Sequence, residues 1–307
     1  MRKRILSMLL MIASFTAMML VSGCNIKKDT LRIGAAGEGG RYYSFAKELS
    51  EKMSEKGLKL QVKETAGSAA NLRLLSGKYI ELGIAQADFI YDACDGEGYS
   101  AIAGLYTEAC QIVVLKDSAI LNVDDLQGKK VSIGETESGT ERNAKQILQV
   151  YGLNDTLVEM KNYDYKTAVN KLENGEIDAL FCTAGIKTEI IEELAKRSGI
   201  RFLSIDDNRM QKLTSAYQFL REYHIPENTY EGQTEQVTTI GVEAVLLARD
   251  ELDEDIVSKI TKILFEYRDE LPFNSLPDFG LSNEDVTQEI GIPFHEGALK
   301  YYKERGN

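Results

Sequence analysis

Histidine is nearly absent from this chain, since His224 and His295 are the only two among 307 residues. Two imidazoles are too few for most acid–base or metal-dependent mechanisms, which use histidine more than any other side chain. The chain also has no G-x-S-x-G and no H-E-x-x-H, the patterns of a serine-hydrolase nucleophile and of a zinc protease. We therefore expect no enzyme, no catalytic residue, no metal site and no cofactor.

One catalytic alternative has a partial motif. The stretch Ser44-Phe-Ala-Lys47 fits the S-x-x-K of serine β-lactamases. The partner motifs that this chemistry needs, Ser-Asp-Asn and Lys-Thr-Gly, do not occur downstream. Ser44 and Lys47 also fall on the exposed face of a predicted helix. A lipoprotein of the serine-hydrolase type is therefore the weaker hypothesis.

Cysteine is also sparse, with four residues: Cys24, Cys94, Cys110 and Cys182. Their spacing matches neither Cys-x-x-Cys nor a zinc pattern, which argues against a metal centre. Cys182 lies in an apolar stretch and is expected to be a small buried hydrophobic residue. A disulfide between Cys94 and Cys110 and two free thiols both remain open at this point.

Positive charge is in deficit. Lysine and arginine number 36 against 48 acidic residues, which gives a net charge of −12. A chain of this charge is not expected to bind nucleic acid. If it binds an anion, local dipoles must hold that anion, because the overall field repels it.

The N-terminus has the pattern of a targeting segment. Met1–Arg4 is positively charged and Ile5–Val21 is apolar and uncharged. The closing Val21-Ser-Gly-Cys24 resembles the bacterial lipobox, which implies a signal peptide over residues 1–23, lipidation of Cys24 and a tether over residues 24–30. An uncleaved transmembrane anchor is the alternative, but the apolar run is at the short limit for spanning a bilayer. We expect an extracytoplasmic protein attached to the cell membrane as a lipoprotein.

The rest of the chain alternates strand-like and helix-like segments. This alternation predicts an α/β fold with parallel strands covered by helices, and the number of strands favours two sheets over one. The predicted strands lie at about 31–35, 59–64, 81–86, 110–115, 130–134, 157–160, 177–182, 200–205 and 237–248. The predicted helices lie at about 42–56, 69–76, 139–151, 164–174, 188–198, 206–221, 253–270 and 300–305.

An internal sequence repeat indicates two lobes. Leu75–Ala85 and Leu172–Cys182 share one layout, a helix end followed by glycine and a buried strand. We predict that residues 31–116 and 237–307 form the first lobe and residues 117–236 the second. The chain would cross between them near 115–118 and 235–240, and a ligand cleft would lie between the lobes.

Three turns that follow predicted strands carry the candidate binding chemistry. They are Gly37–Tyr43, Thr65–Asn71 and Thr136–Glu141. Such turns lie at the carboxyl ends of strands, where open α/β sheets bind ligands. Two helix N-termini facing each other could hold a carboxylate through backbone N–H groups and hydroxyls. Ser138 and Glu141 also fit a capping box, so Ser138 could serve only to cap its helix.

Several motifs match one known family over roughly residues 31–305. The chain resembles the TAXI-type solute-binding proteins of TRAP transporters in Gly39-Gly40-x-Tyr42-Tyr43, Gly67-Ser68-x-x-Asn71, Ile84-Ala-Gln86-x-Asp88, Ser138-Gly139-Thr140-Glu141, Ile225-Pro226…Tyr230 and a closing Ile292-Pro-Phe-His295. Two positions depart from that pattern. Arg41 stands where a small residue is expected, and Ala87 stands where serine is expected. A cationic Arg41 at the cleft edge could alter the choice of ligand.

The resemblance implies a two-lobed venus-flytrap fold of the type II periplasmic-binding-protein class. It implies a monomer that binds a small carboxylate such as glutamate or glutamine and delivers it to a TRAP permease. The ligand-binding residues predicted from the motifs and from the repeat are Gly40, Tyr42, Tyr43, Ser68, Asn71, Gln86, Ser138, Gly139, Thr140 and Thr183.

Three of these residues have a structural alternative. Asn71 and Gln86 could hydrogen-bond their own turns, and Tyr42 could pack in the core. The functional alternative to transport is a ligand-sensing lipoprotein that presents its closed state to a signalling receptor. His295, in an apolar and aromatic C-terminal motif, is expected to be structural.

Overall fold

One mixed ten-stranded sheet runs through the part of the chain that the computed structural model describes, residues 30–92, 98–268 and 292–305. The predicted signal peptide (1–23), the lipidation site Cys24, all of the tether but its last residue, and Cys94 lie outside the described residues. Within the described residues, no helix has the length and apolar character that crossing a bilayer requires.

The strands and helices follow each other in the alternating order that the sequence predicts. The strands are β1 (Leu31–Gly34), β2 (Leu60–Lys63), β3 (Leu82–Gln86), β4 (Tyr99–Leu115), β5 (Lys130–Ser132), β6 (Glu159–Lys161), β7 (Ala179–Ala184), β8 (Ile200–Phe202), β9 (Arg221–Ile225) and β10 (Val237–Arg249). The helices are α1 (Arg41–Glu55), α2 (Ser68–Ser76), α3 (Ala87–Asp92), α4 (Gly139–Val150), α5 (Tyr165–Glu173), α6 (Glu189–Ser198), α7 (Asp207–Ala216), α8 (Glu254–Glu266) and α9 (Glu296–Arg305).

Two long antiparallel strands join two parallel groups. The strand order is β2-β1-β3-β10-β4-β7-β5-β6, with β8 added to β4 and β9 added to β10. The groups β2-β1-β3 and β7-β5-β6 are parallel inside themselves. Both flank β4 and β10, which run antiparallel to each other. The prediction of two separate sheets is therefore wrong, because β4 and β10 continue one hydrogen-bonded ladder from one group to the other.

The long strands exchange partners inside their own length. β10 pairs with β9 over Val237–Gly241 and with β3 over Ala244–Ala248. β4 pairs with β10 up to Ala109 and with β7 over Ala109–Val113. Only residues 110–115 of β4 were predicted as strand, because its first half is rich in alanine, glycine and serine and lacks the β-branched run that marks a strand.

Two shorter elements also differ from prediction. The predicted helix over 206–221 ends at Ala216, and β9 follows it and pairs with β10. Helix α3 was not predicted, because a six-residue helix is too short to show a clear 3.6-residue period.

Apolar side chains cover both faces of the sheet where β4 enters the second group. Cys110, Ile112 and Val114 belong to one buried cluster, whereas Ala109 and Val113 belong to the other. Alternate residues of a strand point to opposite faces, so β4 contributes to two cores at once. Cys110 and Cys182 are both buried free thiols, as predicted for Cys182.

The C-terminal helix is fastened to β4 by the motif around His295. The His295 backbone N–H donates to the Ala101 carbonyl at 2.9 Å, and its Nδ1 accepts from Gly297 N at 3.1 Å. His295 is buried, and burial lowers its pKa. These contacts give His295 the structural role that the sequence predicts.

Asn71 ties three segments together beneath α2. Its carboxamide donates to the carbonyls of Gly34 (3.2 Å) and Ile84 (2.8 Å) and accepts from the Thr65 hydroxyl (2.7 Å). Gly34 must be glycine here, because a Cβ on it would lie 2.3 Å from the Asn71 oxygen. The side chain is fully buried, so its hydrogen-bonding groups are used by the fold.

We predict that Asn71→Ala destabilises the protein by about 2–4 kcal/mol, since it leaves buried carbonyls without a donor and opens a small cavity. Denaturant unfolding measures this loss. Asn208→Ala, at an exposed position of α7, is the matched control and should change stability by less than about 0.5 kcal/mol. Equal stability of the two variants would contradict the role given to Asn71.

Candidate functional site

A cavity of about 580 Å³ lies where the carboxyl ends of both parallel strand groups converge. The turns after β1 and β2 and the end of β3 form one side, and the turns after β5 and β6 and the end of β7 form the other. Glu108, inside β4, also lines it. The volume suits a small-molecule ligand, and the position matches the rule for open α/β sheets.

Most of the predicted ligand-binding residues line this cavity. Those that do are Gly40, Tyr42, Ser68, Gln86, Ser138, Gly139, Thr140 and Thr183. Tyr43 and Asn71 do not. Tyr43 is a partly buried residue packed against the core, with Lys47 Nζ 5.9 Å from its ring centroid. Asn71 is the tie between strands described above.

The N-termini of α2 and α4 meet at the floor of the cavity. The Ala69 N–H donates to the Glu137 carbonyl at 3.2 Å, and a Cβ on Gly67 would lie 3.4 Å from Ser138 Cα. The first N–H groups of a helix have no acceptor inside it, and the helix dipole adds partial positive charge there. Two such ends side by side form a local positive region in an acidic protein.

Ser138 caps α4, as its spacing from Glu141 predicts. Its Oγ accepts from Glu141 N at 3.0 Å. The second half of the predicted capping box differs, because the Glu141 carboxylate accepts from Glu137 N at 2.9 Å. Ser68 is used in a similar way on the other side, where its Oγ accepts from Gln86 N at 3.1 Å.

Glu108 is a cavity-lining residue that the sequence prediction missed. It is 3% exposed, and its Oε2 accepts from the Tyr42 hydroxyl (2.8 Å) and from Gln86 Nε2 (3.0 Å). Burial raises the pKa of Glu108 to about 8, and the nearby acids Asp88 and Glu243 add to the shift. The carboxyl group is therefore mostly protonated at neutral pH. It was missed because it lies in the half of β4 that was not predicted as strand.

Gln86 lines the cavity and carries a buried acceptor without a partner among the described residues. The residue is 2% exposed, and its Oε1 has no hydrogen-bond partner among the described residues, whereas Nε2 is bound to Glu108. Its carboxamide packs directly on Gly139, where a Cβ would lie 2.3 Å from the carboxamide carbon. Buried acceptors are normally paired, so this oxygen is an exception in the wall of the cavity.

The far wall is held by a ring of hydrogen bonds around Tyr165. The hydroxyls of Tyr165 and Thr140 are 2.7 Å apart, Tyr165 donates to the Thr183 carbonyl at 3.0 Å, and the Thr183 N–H donates to Thr140 Oγ1 at 3.1 Å. Tyr165 was not predicted as a site residue. Its position after β6, at the first turn of a helix, is the signal that could have suggested it.

Arg41 crosses from one side of the cavity to the other. Its guanidinium donates to the carbonyls of Gly185 (3.4 Å), Ile186 (2.9 Å) and Lys187, in the segment between β7 and α6. The residue also lines the cavity, as expected for a position at the cleft edge. A planar guanidinium can serve several acceptors at once, and here it joins two parts of the chain that are distant in sequence.

The outer part of the cavity is acidic. Glu38, Glu64, Glu135 and Asp164 line it, against the cations Arg41 and Lys166. Partial burial and the neighbouring charges of Asp164 and Glu64 raise the pKa of Glu135. Among the residues that the structure describes, no group of three or more His, Cys, Asp or Glu side chains is arranged to hold a metal ion.

We predict that the wild-type protein loses stability as pH rises from 5 to 9, and that Glu108→Gln does not show this loss. Between about pH 5 and pH 8 the folded protein keeps the Glu108 proton while the unfolded chain has lost it, so the free energy of unfolding falls with pH. Relative to wild type, the variant should gain stability on the order of 3 kcal/mol between pH 5 and pH 9.

Thermal and denaturant unfolding at both pH values measure this difference. The exposed Glu51→Gln is the charge-matched control and should alter stability equally at both. A Glu108→Gln variant with the same pH profile as wild type would show that the carboxyl is ionised in the folded protein.

We predict that Gly139→Ala destabilises the protein by about 1–3 kcal/mol, because the new methyl group overlaps the Gln86 carboxamide. The sign is informative, since alanine at a helix position is otherwise favoured over glycine by about 1 kcal/mol. Combining Gly139→Ala with Gln86→Ala relieves the overlap, and the two changes should be non-additive in unfolding experiments. Additive effects would contradict the contact.

Comparison with known proteins agrees with the architecture. The periplasmic aliphatic sulphonate binding protein SsuA from Escherichia coli is 18% identical, with 91% of this chain and 88% of that chain covered and a TM-score of 0.50. A protein from Bordetella bronchiseptica RB50 is 15% identical, with coverages of 91% and 99% and a TM-score of 0.57. The P235GK mutant of ArgBP from T. maritima is 14% identical, with coverages of 80% and 92% and a TM-score of 0.50.

These likenesses establish the fold. The predicted α/β, two-lobed periplasmic-binding-protein architecture is confirmed. Residues 33–306 match the NMT1-like family, which is nearly the whole chain after the predicted targeting segment. The chain therefore belongs to the NMT1-like family.

Proposed function

We propose that this protein is an extracytoplasmic solute-binding protein that holds a small amino-acid carboxylate, such as glutamate or glutamine, in the cavity between its lobes. It would deliver that ligand to a membrane permease of the TRAP type and carry out no covalent chemistry. The observation that carries the proposal is the meeting of two helix N-termini in a cavity of ligand size that Gln86 also lines.

The floor of the cavity supplies the carboxylate site. The N-termini of α2 and α4 direct backbone N–H groups and partial positive charge at one region, and Ser68, Ser138 and Thr140 add hydroxyls. This arrangement binds an anion without a dedicated arginine. It supports the amino-acid carboxylate as the inner end of the ligand.

The neighbouring acceptors supply a site for the amino group. Gln86 Oε1 has no donor within the part of the chain that the structure describes, and Glu108, which is bonded to Gln86 Nε2, lines the same cavity. A ligand N–H bonded to Gln86 Oε1 would satisfy a buried oxygen that otherwise lacks a partner. An amino acid carries an amino group and a carboxylate on one carbon atom. It can therefore place its carboxylate at the helix N-termini and its amino group at the adjacent acceptors.

The proposed lobes, residues 31–116 with 237–307 and residues 117–236, would close around the ligand as a venus flytrap. The strands β4 and β10 run between them, and Arg41 supports the closed arrangement by reaching the carbonyls after β7. The predicted lipid on Cys24 would keep the protein at the membrane, near its permease.

We expect L-glutamate or L-glutamine to raise the melting temperature of the chain that begins at Cys24. A ligand at a hundred times its Kd stabilises a protein by about 2.7 kcal/mol, which thermal-shift assays detect readily. A panel of amino acids and dicarboxylates screens the class, and calorimetry gives the Kd. If no small carboxylate binds, the proposed ligand class is wrong.

Two variants test the assigned site. Ser138→Ala and Gln86→Ala should each weaken binding about tenfold, which corresponds to about 1.4 kcal/mol. Asp253→Ala is the control, because it also removes a helix N-cap, that of α8, outside the cavity. It should lower stability and leave the Kd unchanged.

A further inference from the structure

The turns after β2 and β5 share one arrangement, in which a glutamate precedes the N-terminus of a helix. Each places a glutamate in the turn after its strand, and a helix begins four residues later: Glu64 precedes Ser68, and Glu135 precedes Gly139. All four residues line the same cavity. Each side therefore contributes one region that favours an anion and one carboxylate that favours a cation.

The two glutamates approach one another at the mouth of the cavity. A Cβ on Gly37 would lie 3.4 Å from Glu135 Oε2 and 3.9 Å from Glu64 Oε1, so both carboxylates lie beside the same point. Glu64 Oε1 also accepts from the Glu38 N–H at 3.2 Å. The mutual repulsion contributes to the raised pKa of Glu135.

The cations of the cavity do not balance this charge. Arg41 and Lys166 are two cations against the four acids Glu38, Glu64, Glu135 and Asp164. The Arg41 guanidinium also donates to the carbonyls of Gly185, Ile186 and Lys187. Deeper in the cavity, the Gln86 Oε1 acceptor is buried and has no partner among the described residues. The two carboxylates and the Gln86 oxygen are all acceptors, and a ligand group that matches them must bring N–H donors.

We propose that the outer end of the ligand is a cationic N–H donor, an ammonium or guanidinium group held between Glu64 and Glu135. This inference rests on the proposed function and narrows it. The helix N-termini hold the carboxylate of an amino acid, and the two glutamates select a basic side chain over an acidic one. Glutamate would place a second carboxylate against two like charges, whereas glutamine would bind without either repulsion or charge pairing.

Calorimetric titration of the chain that begins at Cys24 with L-lysine, L-glutamine and L-glutamate tests this inference. We expect L-lysine to bind at least tenfold more tightly than L-glutamate at pH 7, with L-glutamine between them. The ratio should shrink as ionic strength rises, since the selecting interaction is electrostatic. L-glutamate binding as tightly as L-lysine would overturn the inference and leave the proposed function standing. Failure of all three ligands to bind would overturn both.

Charge-neutral variants locate the selecting groups. Glu64→Gln and Glu135→Gln should each weaken L-lysine binding about tenfold and leave L-glutamate binding unchanged or improved. Glu51→Gln, on the exposed face of α1, makes the same change in net charge outside the cavity and should alter neither. If Glu64→Gln and Glu135→Gln bind L-lysine as tightly as Glu51→Gln does, the assignment is overturned. Glu135→Gln should also keep or raise the melting temperature, which separates lost binding from misfolding.

Discussion

The antiparallel pairing of β4 and β10 is the constraint on which the rest of the structure depends. These two strands are hydrogen-bonded along Tyr99–Ala109 and Gly241–Arg249. β10 also pairs with β3 of one parallel group, and β4 pairs with β7 of the other. Because both parallel groups are attached to this pair, the carboxyl ends of β1, β2 and β3 are brought towards those of β5, β6 and β7. The cavity arises at that convergence, with Glu108 of β4 in its wall.

The interior of the site combines charges that would be unfavourable in isolation. Glu108 is buried, yet its carboxyl is stabilised by donors from Tyr42 and Gln86 and by retention of its proton. The helix N-termini nearby concentrate positive potential within a protein of net charge −12. Preferences for negative and positive ligand groups are thereby separated over a short distance, an arrangement that suits a zwitterion better than a simple anion.

Much of this site could be predicted from local sequence. Glycine turns and a capping serine are local signals, and they placed Ser68, Ser138 and Gly139 correctly in the cavity wall. The residues that were missed depend on tertiary context. Glu108 becomes a site residue only because a stretch of small residues is drawn into a long strand by its pairing with β10, and periodicity carries no sign of that pairing.

Asn71 was predicted to bind the ligand but instead ties strands of the fold together. Its motif marks it as important, but a carboxamide in a turn can serve either a ligand or the backbone. The choice is decided by the carbonyls of Gly34 and Ile84, which reach it only after β1 and β3 have paired. The sheet shows the same dependence on tertiary contacts. Alternating strands and helices predict two parallel strand groups, but they do not show whether β4 and β10 join these groups into one sheet.

The position of β10 in the sheet has a consequence for how the chain folds. β3 pairs with β1 on one side and with β10 on the other, and the β10 ladder sets Gln86 against Ala244, far along the chain. Contacts of such long sequence separation form slowly, because closing the intervening loop is entropically unfavourable. Until β10 arrives, the edge of β3 presents five buried residues with unpaired backbone groups. That edge is open to pairing with another chain until β10, which follows both parallel strand groups in the sequence, has paired with it.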